Sequence, residues 1–529
     1  MSRDPALLRL ADGVILPGFA GRRAPDWVRR RLADGLVGVV LFSRNIGDAD
    51  QVARLTADLR AERPDVIVGI DEESGEVTRL EAATGSTRPG NYALGVVDDV
   101  KLTEELARDL GQALAGVGVT ITFAPAADVN SNPDNPVIGL RSFGDDPRLV
   151  ARHTAAWIRG LQAAGVAACA KHFPGHGDTA VDSHHGVPVV TGSREALAQV
   201  ELLPFRAAIE EGVAAIMTGH LVVTAYDDER PATLSPRILG DLLRRELGFD
   251  GPVITDGIEM AAVAERYGLA GAATHAIAAG ADGICVGGEN CGEEIVEELR
   301  EAIADAVVEG LIPEDRLAEA AERMRGLAAR TASAATAGSP SGPAGSGEAS
   351  GGLSWESSSG AAWGSGISGD VPLGLYAARR ALRVTQRRSA VLPLRAAPHV
   401  IEMSPLLSLA VDRHTPWGVG GPLTELMPGT TVTRLPESGD GPPPDAADLD
   451  AALAAAAGRP LVIVVRYANR HRWLTEAIDH LLAARPDGIV VEMGLPGRTD
   501  LGAAHIATHG SARVCGQAAA EVLAGVTSP

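Results

Sequence analysis

The residues best suited to chemistry in this chain crowd into one stretch. Residues 171–188 read KHFPGHGDTAVDSHHGVP and hold four histidines, a lysine and two aspartates within 18 residues. Three glycines and two prolines keep the stretch from being a regular helix, so it reads as a loop with polar side chains turned to a cleft. His172 and His176 stand four apart, the spacing of a helical zinc pair, but Pro174 and Gly175 break that helix and no HExxH arrangement accompanies them. Neither a metal nor any other cofactor is expected. The chain has no GxSxG elbow, Walker A loop or GxGxxG fingerprint, which disfavours a serine hydrolase and a phosphate cradle. Glycoside hydrolysis remains open. It needs one group to attack the sugar and another to protonate the leaving oxygen. Asp256, after a short apolar run, suits the first role. A histidine, with its ordinary pKa of about 6.5, suits the second.

Such groups need a frame that makes them converge. Short β-branched runs at Gly13–Pro17, Val37–Phe42, Val66–Asp71, Val119–Ala124, Ala168–Phe173, Ala214–Thr218, Pro252–Asp256 and Asp282–Val286 alternate with amphipathic segments. One of these carries Leu102, Leu106, Leu110 and Leu114; another carries Ile295, Leu299, Ile303 and Val307. The alternation predicts βαβ units and a parallel sheet. Eight strands match a (β/α)8 TIM-like barrel, with a doubly wound open sheet as the alternative that periodicity does not separate. In a barrel the chemistry lies at the C-terminal strand ends. Polar residues gather there: Asp71, Glu72 and Glu73; Lys171 and His172; His220; Asp256; and, after the fourth run, Asp128, Asn130, Asn132, Asn135, Arg141 and Ser142.

Residues 332–370 contain 10 Gly, 11 Ser and no Lys or Arg, the composition of a flexible tether. This divides the chain into a catalytic domain at 1–331, a linker at 332–370 and a smaller C-terminal domain at 371–529. In the last, strands at Val400–Met403, Thr430–Leu435, Leu461–Val465, Gly488–Glu492 and His505–Thr508 alternate with helices, which reads as a three-layer α/β sandwich. Across 529 residues the net charge is −21 and aromatics are 3%. That disfavours nucleic acid and anionic membranes as partners; the small-molecule or oligosaccharide substrate expected here comes from the glycoside-hydrolysis reading instead. No apolar run reaches membrane-spanning length, and the N-terminal residues lack a signal-peptide pattern. The scattered Cys169, Cys285, Cys291 and Cys515 suit a reducing compartment, so the cytoplasm is the expected location. Nothing in the sequence sets an oligomeric state.

Several long segments resemble glycoside hydrolase family 3, specifically its bacterial β-N-acetylglucosaminidase branch. They are GVVLFSRN at 38–45, IDEESGEVTRL at 70–80, FAPAADVNSNPDNPVIGLRSFGDDP at 123–147, KHFPGHGDTAVDSHHGVP at 171–188, AIMTGHL at 215–221, PATLSP at 231–236 and GFDGPVITDGIEM at 248–260. The resemblance covers most of residues 10–330. It implies a barrel and a retaining double displacement, with Asp256 as nucleophile and His184, paired with Asp182, as acid/base. It also implies Asp71, Arg141, Lys171 and His172 as sugar-binding residues. The implied reaction is removal of terminal β-linked N-acetylglucosamine from peptidoglycan fragments or chito-oligosaccharides. A phosphorylase using the same residues and a β-glucosidase of the same family are the alternatives. A non-enzymatic sugar binder would be expected to have lost Asp256 or His184. Two departures stand out: Gly257 follows Asp256 where the family has a second acid, and Glu76 stands where a basic side chain is usual. Glu76 is expected to alter a subsite or only a surface. Asp128 is expected to hold its own ADVNSNP turn, and Glu492 to be a strand-end residue.

Overall fold

The computed structural model describes residues 4–183, 186–288, 291–337, 371–387, 391–436 and 441–527. The chain forms two compact units. One comprises Met1–Glu73, Val100–Ile138 and Gly144–Trp363; the other comprises Ser74–Asp99, Gly139–Phe143 and Gly364–Pro529.

The first unit is built on eight short parallel strands: β1 (Ile15–Pro17), β2 (Gly38–Leu41), β3 (Ile67–Ile70), β4 (Ile121–Thr122), β5 (Ala167–Phe173), β6 (Ala215–Thr218), β7 (Val253–Thr255) and β8 (Ile284–Val286). Each falls inside or within one residue of a run read from the sequence. β2 to β7 form one parallel sheet in chain order. A bridge from Ile254 to Gly283 leads from β7 towards β8, and β8 pairs with β1, Ile15 opposite Ile284. The strands follow chain order around a curled sheet without reversal. That is the TIM-like order, not the doubly wound one. The strands are buried at every position because helices cover the sheet's outer face and side chains fill the inner one. Val40, Ile67, Ile121, Phe123, Cys169, Met217, Ile254 and Cys285 pack together with Met324, Leu327 and Ala328 of the helix Glu314–Ala337. That helix runs through residues 332–337, where an alanine-rich sequence sustains it. The rest of the expected linker, residues 338–370, lies outside the described residues.

The second unit has a six-stranded mixed sheet: β9 (Arg383–Gln386), β10 (His399–Met403), β11 (Thr431–Leu435), β12 (Leu461–Val465), β13 (Ile489–Glu492) and β14 (Ala504–Ala507), in the order β9-β14-β13-β12-β10-β11. Only the β9–β14 pairing is antiparallel. Alternation sorts its side chains onto two faces. Val400, Val462, Val464, Val491 and Ile506 pack with Leu423, Val514 and Leu523 on one side. Ile401, Ile463, Val465 and Val490 pack with Leu449, Leu474 and Leu481 on the other. This is the three-layer arrangement expected from the sequence, with β9 as an unforeseen edge strand.

Candidate active site

In the first unit the expected charged residues meet at the C-terminal strand ends. Asp71 and Glu73 follow β3, and Lys171 lies in β5. Lys171 Nζ reaches Asp71 Oδ1 at 2.8 Å and Glu73 Oε1 at 2.7 Å. Lys171 and Glu73 are buried, while Asp71 keeps 24% of its side chain exposed, so its carboxylate stays open to a ligand. The β5–β6 register shifts between Ala170 and Phe173. An irregularity of this kind re-aims side chains, and Lys171 and His172 sit inside it.

Asp256 leaves β7 with its backbone N–H donating to Thr218 O (3.2 Å), and Ile258 N–H donates to Cys285 O (2.9 Å). Asp256 Oδ1 accepts from Gly257 N (2.8 Å). The next peptide is held by His220, fully buried, whose Nε2 donates to Gly257 O (2.9 Å). A carbonyl only accepts, so the proton sits on Nε2. Nδ1 then faces Thr233 Oγ1 (2.8 Å), which in turn lies 2.8 Å from Thr218 Oγ1. Glu259 caps the next strand end, its Oε1 accepting from the amides of Gly287 (3.0 Å) and Gly288. Burial pushes the Glu259 carboxyl up, those amides pull it down, and Asp256 adds a further upward push. Beneath these groups, burial raises the Cys169 and Cys285 thiols. Asp71 and Asp256 raise both further, and Lys171 opposes them. Asp71, Lys171 and Asp256 lie at the C-terminal ends of β3, β5 and β7 of one parallel sheet, and so gather at one end of the barrel.

Asp128 reaches well beyond its own turn. It accepts from His172 Nδ1 (2.8 Å), His172 N (3.1 Å) and His176 N (2.8 Å). Burial would raise this carboxyl, but His172 and His176 outweigh it and hold it below the usual range. These three donors come from the end of β5 and the turn that follows it, and charge-assisted bonds of this kind are strong. The residue thereby staples the 172–176 loop to the strand-end segment. His172 is fixed by this bond. The imidazole of His176 lies between Thr179 Oγ1 (2.6 Å) and Ser183 Oγ (3.2 Å). Glu201, at the head of the helix Leu202–Glu210, supports the same loop. A Cβ on Gly175 (φ +127°) would come within 2.6 Å of Glu201 Oε2, so this tight approach uses glycine's missing side chain. Burial pushes the Glu201 carboxyl up to about 8. Asp182 is buried, and its carbonyl accepts from Gly186 N (3.2 Å). His184, and with it the expected Asp182–His184 pair, lies outside the described residues.

Arg141 ends the short helix Gly139–Arg141, which groups with the second unit, and its carbonyl accepts from Asn91 Nδ2 (2.7 Å). Glu76 is likewise part of the second unit and is buried, so it is not a surface residue. It accepts from Tyr467 Oη and from Ser511 Oγ (3.0 Å). The side-chain roles of Glu73, Glu259, His220 and Glu201 went unread in the sequence. Glu73 carried a signal, standing two residues past Asp71 at the same strand end. Glu259 carried none, because its partners are backbone amides nearly thirty residues downstream. Among the described residues, no group of three or more His, Cys, Asp or Glu is placed to hold a metal ion. Nor is any described helix long and apolar enough to cross a membrane.

Comparison with known proteins bears on the family and the fold. The model of the glycosyl hydrolase family 3 N-terminal domain matches residues 17–327. A β-hexosaminidase of Thiobacillus denitrificans is 39% identical over 279 residues, 51% of this chain and 77% of that protein. β-Hexosaminidase A of Pseudoalteromonas piscicida is 36% identical over 267 residues. That match takes in 46% of this chain and 44% of the relative's length, so less than half of that relative is represented. Among solved structures, a glycoside hydrolase family 3 β-N-acetylglucosaminidase from Paenibacillus sp. superposes with a TM-score of 0.82 at 32% identity, covering 98% of this chain and 96% of that one. With a family model matched over more than half its length and a solved relative followed almost end to end, the chain belongs to glycosyl hydrolase family 3.

Proposed function

We propose that the chain is a retaining exo-β-N-acetylglucosaminidase that removes terminal β-linked N-acetylglucosamine, with peptidoglycan fragments or chito-oligosaccharides as substrates. The observation that carries this reading is the convergence of Asp71, Lys171 and Asp256 at one end of the barrel. The β-hexosaminidase relatives and the β-N-acetylglucosaminidase structure support the choice of sugar.

In this reading the open carboxylate of Asp71 accepts from ring hydroxyls. The Lys171 ammonium, shared with Glu73, fixes that carboxylate and donates to the sugar, with His172 beside it. Asp256 attacks the anomeric carbon as the glycosidic bond breaks. His184, steadied by Asp182, gives its proton to the departing oxygen. The product is a covalent glycosyl-enzyme. His184 then takes a proton from water, and the hydroxyl displaces Asp256 with net retention. The amide of Gly257, held by His220, keeps one oxygen of Asp256 engaged and aims the other. The family resemblance adds Arg141, for which the expectation is a raised KM in Arg141→Ala.

The test is release of p-nitrophenol from its β-N-acetylglucosaminide, with and without phosphate. Hydrolysis in plain buffer that falls at least about 10⁴-fold in Asp256→Ala supports the reading. Strong acceleration by phosphate, with a sugar 1-phosphate as product, replaces hydrolase with phosphorylase. Turnover of the β-glucoside in place of the N-acetylglucosaminide overturns the substrate and leaves the nucleophile standing.

A further inference from the structure

We propose that Ser183 is a positioning residue for the acid/base step and that His176 is the group that holds it. The inference rests on the reading of Asp182 and His184 as the acid/base pair, since Ser183 is the residue between them in the chain.

Ser183 is buried and tied on two sides. Its carbonyl accepts from Ala262 N (3.4 Å), at the start of the helix that follows Asp256, and its hydroxyl meets His176 Nε2 at 3.2 Å. His176 is equally buried. Its Nδ1 lies 2.6 Å from Thr179 Oγ1, and Thr179 Oγ1 lies 2.9 Å from the carbonyl of His176 itself. Three contacts therefore need three protons. The threonine hydroxyl has one, and the carbonyl can only accept, so that proton goes to the carbonyl. Nδ1–H must then serve Thr179, which leaves Nε2 of the neutral ring as the acceptor of the Ser183 hydroxyl. One neutral tautomer satisfies all three contacts. The backbone of His176 is anchored separately, by Asp128 (2.8 Å). A run of bonds thus leads from a fully buried carboxylate, through the loop backbone and a fixed imidazole, to the residue between the acid and its partner. On the other side Ser183 is tied to the segment that begins with the nucleophile. Positioning of this precision matters because a proton donor must lie within hydrogen-bond reach of the leaving oxygen.

A positioning role predicts a leaving-group signature that general loosening of the fold does not produce. The experiment compares kcat/KM for 2,4-dinitrophenyl and phenyl β-N-acetylglucosaminides, the first needing no proton on departure and the second needing one. In Ser183→Ala the phenyl substrate is expected to lose roughly 10-fold and the dinitrophenyl substrate less than about 2-fold, a fraction of what a whole general acid contributes. His176→Gln, whose amide oxygen can accept from Ser183, should keep most of the phenyl activity, and His176→Asn, which reaches only the Thr179 side, should show the phenyl-selective loss. Equal losses on both substrates, or a fall in Tm with unchanged selectivity, overturn the proposal. His184→Ala and Asp182→Ala are the controls. If they lack the phenyl-selective loss, the acid/base reading fails. If they show it and Ser183→Ala does not, only the present inference fails.

Discussion

Both main sheets of this protein carry acids at or near the C-terminal ends of their parallel strands, and the two sheets treat those acids differently. In the first unit Lys171 stands between Asp71 and Glu73, opposite charges are kept adjacent, and one carboxylate stays open. In the second unit Glu402 of β10 is consumed by Gly420 N (2.8 Å) and Arg434 Nε (3.0 Å). Arg466, directly after β12, donates to Ser404 Oγ (2.6 Å) and lies 4.3 Å over the Trp417 ring, and burial pulls it down to about 10. Glu492 ends β13, where burial pushes it up to about 8, and its Oε1 has no hydrogen-bond partner among the described residues. The first arrangement keeps charge available to a ligand. The second neutralises it or spends it on the chain's own groups. A strand end offers a place for chemistry, and what distinguishes a site is charge left over once the fold has satisfied itself.

The comparison breaks most visibly at Lys171. Lys171→Met leaves two adjacent acids, one of them buried, without their cation. It should cost about 3 kcal/mol of stability, read by denaturant titration, and lower kcat/KM by about 10²-fold or more. A variant as stable as the parent would mean that the barrel acids are as neutral as Glu492.

Glu492→Gln tests the opposite side. A carboxyl raised to about 8 in the folded state stays protonated while the unfolded chain ionises near its ordinary value of 4.5. The unfolded state therefore binds fewer protons through that window, and stability declines as pH rises from about 4.5 to about 8, then levels off. Glu492→Gln should remove that decline, so the variant gains on the parent across this range and is close to it at pH 4. A constant difference at all pH values would show Glu492 to be ionised in the fold. The smallest effect belongs to Arg472→Ala, which deletes an exposed pair with Glu476 on one helix. It should change stability by about 0.5 kcal/mol or less and give the scale against which the other two are judged.

Much of the barrel was legible in the sequence because parallel strands buried on both faces are written as short β-branched runs. The strand-end acids then stood out against them. Asp71 with Lys171 and Asp256 follow that pattern. The edge strand β9 was missed because Arg383–Gln386 is short, polar and mostly exposed, which is how an edge looks when it packs on little. The surface alternative for Glu76 fell because its partners, Tyr467 and Ser511, lie 391 and 435 residues away, and no local periodicity reports a contact of that span. The reach of Asp128 was missed for a related reason. Its type predicts a local turn, and three donors reach it from the end of β5 and the turn after that strand, more than forty residues away.

The same long span has a consequence for how the protein is made. Residues 74–99 and 139–143 leave the ribosome early, yet they belong to the unit that is completed only after Ser511 has been synthesised. At roughly 5–20 residues per second, Glu76 waits on the order of a minute for its last partner. During that interval the early segments, with Leu94 and Leu140 still unpacked, are the part of the nascent chain most in need of a chaperone. Cutting the gene at the glycine- and serine-rich stretch would make that wait permanent.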